Sequence, residues 1–284
     1  MMGRLFRGVN RKHGQDSGEP VLVSVRTRDL PKAVVPSVIK ATRLLDEVAS
    51  TRDALTLAEI AARLALPKSS TLSLCTSLTH AGLLTRYEDN TYHLGTHLVD
   101  LAHAYLARTD LTREFDQAID ALKVLDEDGA VLAVRDGDEV VYVACRNGDR
   151  PLGITYRIGM RLPVSCTATG KALISALSDQ EVRGLFRRGK PLPQLTPNSC
   201  CTVGPLLDQL RQVRSQGYAT DDEETREGMC CIGVPIVDPE TGNALAAVAV
   251  SMLKGSLTPD KREQVVATLQ ELARLLLNRV KMLR

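Results

Sequence analysis

The chain has 284 residues, room for two compact domains rather than one small core. Its 44% hydrophobic and 25% charged residues are the mixture of a folded globular protein, which excludes a fibrous or wholly disordered chain. A formal net charge of +2 excludes a protein held on nucleic acid by bulk charge alone, and 3% aromatic residues with no Trp leave little material for stacking single-stranded bases.

Residues 1–33 read as a basic arm with no fold of its own, because Arg4, Arg7, Arg11, Lys12, Arg26, Arg28 and Lys32 outweigh Asp16, Glu19 and Asp29. No apolar run follows the first basic residues and no stretch of about 18 apolar residues occurs, so the expectation is a cytoplasmic protein with no leader and no membrane partner. The seven cysteines are odd in number and contain no C-x-x-C, which argues against a disulfide framework or a zinc ribbon.

After Pro36, the apolar positions Val38, Ala41, Leu44, Leu45 and Val48 recur at helical spacing, with Ser37 as the expected N-cap. Thr56 and Glu59 form a capping box at the head of a second helix that carries Leu57, Ile60, Ala61 and Leu64. Pro67 breaks it, and Thr71, Leu74, Cys75 and Leu78 then repeat at helical spacing until Ala81-Gly82. Three short helices with a tight turn before the last make a helix-turn-helix. The alternating segments 83–87 and 91–94 read as a hairpin, the wing, so residues 34–94 are expected to form a winged helix-turn-helix domain. An amphipathic linker helix follows over 95–110.

Residues 111–284 read as an α+β domain with a mainly antiparallel sheet. Helices are expected over 112–125, 168–177, 179–187, 205–216 and 259–282. A hairpin pairs 131–134 with 140–144 across Asp136-Gly137, and further strands are expected over 153–157, 218–222, 231–237 and 243–252.

On the third helix, Ser69, Leu72, Ser73 and Thr76 lie opposite the apolar stripe and Ser70 near its start. A helix-turn-helix inserts that outer face into the major groove, so these residues are candidates for base and phosphate contacts; a merely solvated face is the plain alternative. Lys68, Arg86 and the basic arm are the candidates for phosphate neutralisation. The tetrapeptide Thr169–Ala172 is not a phosphate loop, since Ser165 stands where a glycine is needed and Ala172 where Ser or Thr is needed. No G-x-S-x-G occurs, and all five histidines precede residue 111. His93, His97 and His103 with Asp100 do not make a convincing metal set, because Gly95 separates the first two at a strand-to-helix junction. No cofactor, no metal and no enzymatic activity are expected.

The stretches SVIKATRLLD (37–46), LTLAEIAARLALPKSST (55–71), AGLL (81–84) and YHLG (92–95) resemble the DNA-binding domain of the IclR family of transcriptional regulators. LPVSCTATGKALIS (162–175), GYATDDEE (217–224), CIGVPIVD (231–238) and VAVS (248–251) resemble its effector domain, a GAF-like α/β fold. The resemblance implies double-stranded DNA and a small-molecule effector, an organic acid or aromatic metabolite, as partners. It places the effector pocket between the loop 165–169, which opens a helix and sets Ala168 and Thr169 against the ligand, and strands carrying Asp221, Cys231 and Ser251. The family usually carries an arginine where Ser73 stands, and often a small polar residue where Ala249 stands. A homodimer, or a tetramer, is expected from the 95–108 helix and an apolar surface around Leu44 and Leu45, because two-fold DNA sites need two-fold related readers. A small-molecule-binding protein that uses the winged helix only to dimerise is the alternative.

Overall fold

The computed structural model describes residues 35–51, 53–107, 111–122, 128–148, 155–186 and 191–281; the basic arm lies outside them. The described residues divide into two compact units. One runs to Leu78 and takes in Thr85–Leu94; the other takes in Thr79–Leu84 and the chain from Gly95 onward.

The first unit opens with α1 (Pro36–Ser50), β1 (Leu55–Thr56), α2 (Leu57–Arg63) and α3 (Lys68–His80). The N-cap of α1 is Val35 rather than Ser37, because Pro36 takes the first helical position, where its missing N–H costs nothing and its fixed φ already suits a helix. Thr56 and Glu59 make the expected reciprocal capping box at α2. The turn into α3 passes through Ala65 at φ 52, a left-handed conformation rare for alanine, and Leu66 N–H closes it on Ala61 O at 3.0 Å. The wing strands are β2 (Leu84–Arg86) and β3 (Thr91–Leu94), in sheet order β1-β3-β2. The two-residue β1, which carries no alternation long enough to read, pairs Leu55 with Tyr92. Leu44 and Ile60 are fully buried, with Val48, Cys75, Leu78 and Tyr92 also in the core, so Leu44 is core rather than part of an apolar surface. Burying a side chain such as Ile60 contributes about 1.5–3 kcal/mol.

The second unit holds α4 (His97–Ala107), α5 (Leu111–Leu122), and a six-stranded sheet. Its strands are β4 (Gly129–Asp136), β5 (Glu139–Arg146), β6 (Arg161–Pro163), β7 (Ala219–Asp222), β8 (Met229–Val237) and β9 (Ala244–Leu253). They lie in the order β6-β5-β4-β9-β8-β7, and every paired neighbour is antiparallel. The remaining helices are α6 (Ala168–Ser175), α7 (Asp179–Leu185), α8 (Val203–Gln216) and α9 (Pro259–Lys281). The sheet is buried on both faces, which is why β9 reads as a nearly continuous apolar run. Val131, Cys231, Ala247 and Ala249 face a core shared with α6, α7 and α8; Leu132, Ile232, Val248 and Val250 face one shared with α5 and α9.

Two expectations fail here. Residues 155–157 form no strand, and 153–154 lie outside the described residues. The partner of β5 is instead the three-residue β6, whose Arg161, Leu162 and Pro163 give too short a run to announce itself. The helix expected over 179–187 ends at Leu185, while the one expected over 112–125 is described as far as Leu122, with 123–125 outside the described residues.

Helix α6 lies flush on its neighbours. A Cβ at Gly233 on β8 would stand 2.8 Å from the Ala168 carbonyl carbon, and one at Gly170 would fall inside the backbone of Val164.

Candidate functional site

On α3, Thr71, Cys75 and Leu78 are buried while Lys68, Ser69, Ser70, Leu72, Ser73 and Thr76 are exposed, the division the helical spacing predicts. Burial pushes the Cys75 thiol up to about 11, so it is an inert core group. The outer hydroxyls are partly committed. Ser73 Oγ donates to Ser69 O at 3.1 Å and Ser77 Oγ to Ser73 O at 2.9 Å, so in this arrangement they offer lone pairs, not protons, to a base edge. Arg86 on β2 donates to Asn90 in the hairpin turn and its guanidinium lies 6.0 Å from the Tyr92 ring centroid, which holds it along the wing. Asn90 takes φ 63, which its short polar side chain tolerates.

In the second unit, all five expected effector residues line one cavity. Ala168, Thr169, Asp221, Cys231 and Ser251 meet there with Val131, Tyr142, Tyr156, Thr167, Thr225 and Ala249. The cavity measures about 10 Å³, room for a single water. The sheet register makes the meeting obligatory: Asp221 is the direct cross-strand partner of Cys231, and Cys231 of Ser251, so the three side chains stand in a row on one face.

Ser251 Oγ is the hub of that row, accepting from Tyr156 OH at 2.7 Å and from Cys231 Sγ at 3.2 Å. Burial drives both the Cys231 thiol and the Tyr142 phenol well above their ordinary values, so each is a neutral hydrogen-bonding group rather than a nucleophile. Burial also raises the Asp221 carboxyl, against the hydrogen bond from Thr225 and the charge of Lys171. Its Oδ1 accepts Glu224 N–H at 2.7 Å and Thr225 N–H at 3.1 Å. At the head of α6, Thr167 Oγ1 accepts Gly170 N–H at 3.0 Å, and the first residues of the helix, Ala168 and Thr169, line the cavity. Thr169 Oγ1 is buried beside the Tyr142 phenol, and its hydroxyl partly offsets the rise that burial imposes on that phenol.

Behind the cavity, Lys171 Nζ lies 2.5 Å from Glu224 Oε1 and 3.1 Å from Gln209 Oε1, with the two charged side chains 1% and 5% exposed. Ser199 Oγ donates to Glu224 O at 2.6 Å and Thr225 Oγ1 to Cys166 O at 3.2 Å. The turn that carries Glu224 and Thr225 is thereby fastened at the cavity.

Tyr142, Tyr156, Thr225 and Val131 were not among the expected lining residues, whereas Thr167 falls within the expected loop 165–169. The period of two in β5 puts Tyr142 on the same face as Val140, but a register shift opposite Leu132 and Ala133 decides which residues beyond it share that face. Among the described residues no group of three or more His, Cys, Asp or Glu is placed to hold a metal ion, and no helix is long and apolar enough to cross a membrane.

A winged helix-turn-helix with an exposed recognition face, joined in one chain to an α+β domain with a small cavity of mixed apolar and polar lining, defines a DNA-binding transcription regulator. Residues 37–88 match the IclR helix-turn-helix domain and residues 103–277 the bacterial transcriptional regulator IclR C-terminal domain. The chain belongs to the IclR family. It is 31% identical over 221 residues to the HTH-type transcriptional regulator XynR of Escherichia coli, covering 78% of this chain and 87% of that protein. The solved structure of repressor BlcR from Agrobacterium tumefaciens is 36% identical with a TM-score of 0.54, over 87% of this chain and 97% of that one. The Thermotoga maritima IclR structure is 25% identical with a TM-score of 0.67, over 86% and 98%. These are families and relatives of regulators, not of enzymes.

Proposed function

We propose that this chain occupies a two-fold DNA site as a homodimer or tetramer, and that a small organic acid or aromatic metabolite in the cavity shifts the population of DNA-competent assemblies. The observation that carries the reading is the Asp221–Cys231–Ser251 row meeting Ala168 and Thr169, the first residues of α6, at one cavity. One carboxylate, neutral donors and a helix head recognise a ligand by hydrogen bonds, whereas a nucleophile with its base is what an acyl-transfer enzyme would require. The ligand moves DNA affinity by no more than its own difference in affinity for the two states.

Self-association is supported by α4, where Val99, Leu101 and Tyr105 are 67%, 50% and 46% exposed, and by Val38 of α1 at 59%. Residues 1–33 serve as a phosphate-binding arm, 34–94 as the DNA-reading domain, 95–110 as the linker and 111–284 as the effector domain of a cytoplasmic protein. A fluorescence titration against DNA upstream of the chain's own coding region, with and without candidate acids and aromatics, tests this. Tight binding that a metabolite weakens or strengthens supports it, and binding indifferent to every such compound removes the effector arm.

The outer face of α3, with hydroxyls and Leu72 in place of an arginine or amide, favours a second reading in which the winged helix serves dimerisation alone. Failure to bind any duplex at low salt, from a protein that sediments as a dimer, selects it.

A further inference from the structure

The stretch from Thr155 to Gly159 runs outside the sheet. Thr155, Arg157, Ile158 and Gly159 are exposed, and Tyr156 alone is buried, at 3% exposure. The backbone of Tyr156 is held by a side chain instead of a strand: Asn147 Nδ2–H donates to its carbonyl at 3.1 Å and Asn147 Oδ1 accepts its N–H at 2.8 Å. That clamp fixes one residue. From it the ring enters the cavity, stands edge-on to Tyr142 with centroids 5.6 Å apart, and donates its hydroxyl to Ser251 Oγ.

Small-molecule sites measure about 300–1,000 Å³, and this cavity measures about 10 Å³. Room for a ligand must therefore come from a lining side chain that withdraws. Tyr142, Cys231 and Ser251 are carried by strands and Thr169 by a helix, so their backbones are fixed by ladder or helix hydrogen bonds and cannot carry the side chains out of the cavity. Tyr156 sits on a loop whose far end is anchored by Gly159 N–H to Tyr142 O at 2.8 Å, and its ring can leave by giving up its burial, two side-chain bonds to Asn147 and one to Ser251.

The geometry points to Tyr156 as an internal occupant of the effector cavity, a tethered phenol that a hydroxylated aromatic ligand displaces, taking over its hydrogen bond to Ser251. The inference rests on the reading of this cavity as the effector site and names the ligand class: a planar ring that fills the space of the withdrawn phenol, meets the Tyr142 edge and presents a hydroxyl to Ser251 Oγ. Tyr156 then sets specificity twice, by the shape of the space it vacates and by the fraction of molecules in which it has vacated it, which scales the apparent affinity directly.

The test uses the full chain, with phenol as probe and benzene as control, read by calorimetry and thermal unfolding. Tyr156→Ala is expected to bind one phenol per chain and to gain thermal stability as phenol is added, with wild type binding about tenfold more weakly or less because its own ring competes. Adding Ser251→Ala is expected to weaken phenol binding about fivefold and leave benzene unchanged. If Tyr156→Ala does not fold, Tyr156→Phe decides alone: it frees Ser251 and loosens the ring, so phenol affinity should rise about fivefold above wild type. A tyrosine that merely packs gives another pattern. Tyr156→Phe no better than wild type for phenol, or Tyr156→Ala binding phenol and benzene alike without regard to Ser251, overturns the proposal. DNA titrations in parallel separate it from the reading beneath it. Ser251-dependent phenol binding that leaves DNA affinity untouched keeps the displaced phenol and removes the effector role; a metabolite that shifts wild-type DNA affinity while no variant takes phenol does the reverse.

Discussion

Replacing Lys171 by Met removes the cation that pairs with Glu224 in the interior of the second unit. The carboxylate left behind has Gln209 Nε2 at 3.4 Å as a remaining donor, and its Oε2 already lacks a partner among the described residues. Breaking a buried pair from one side costs about 3–5 kcal/mol, because the orphaned charge stays desolvated. Lys171→Met with Glu224→Leu should recover most of that loss, since the two apolar side chains need no partner. The deficit also depends on pH. Burial holds the Glu224 carboxyl above its ordinary 4.5 and Lys171 opposes the rise, so without the lysine it climbs further. The folded variant then binds a proton more tightly than the unfolded chain, and its stability falls as pH rises through the window above 4.5. Urea unfolding followed by circular dichroism should show the single variant's deficit largest at pH 8 and shrinking toward pH 5. A loss below about 1 kcal/mol at pH 8, the range of exposed pairs, or an equal deficit at both pH values, refutes the argument.

Ser73→Arg puts a guanidinium on the exposed face of α3, and a guanine-containing duplex should gain about 1–3 kcal/mol over the sequence the parent prefers, as read by competitive selection. Deleting residues 1–31 should weaken operator and random duplexes by similar factors and flatten the log–log salt slope by about 0.9 for each phosphate no longer neutralised; a vanished operator preference at an unchanged slope contradicts this. Cys231→Phe overfills the cavity and should abolish the effector response while DNA binding and the far-ultraviolet spectrum persist. An unchanged effector titration would detach Cys231 from the site.

The elements most legible in the sequence are those whose cause is local. Thr56 and Glu59 announce α2 because both halves of the capping box lie within four residues. The β4–β5 hairpin shows itself through Asp136 and Gly137, the latter at φ 67. What escapes is decided at long range. Residues 155–157 carry strand-forming side chains, yet the backbone partner of Tyr156 is the Asn147 side chain, a choice invisible to periodicity. In the cavity, Asp221, Cys231 and Ser251 were placed by family resemblance, and their common face follows from a register that no single segment encodes. Tyr156 is hidden for the same reason: nothing near it in sequence shows that its hydroxyl meets a serine 95 residues away.

The glycine seam under α6 has a consequence for anyone redesigning this cavity. Any side chain at Gly170 or Gly233 would collide with the peptide backbone of Val164 or Ala168, so these two sites form a chassis that tolerates no variation. Tyr142, Tyr156, Cys231, Ala249 and Ser251 border the same cavity without taking part in that seam. A combinatorial library that freezes the first pair and varies the second group avoids the backbone collision, and because all five side chains are buried it is best held to substitutions of similar volume.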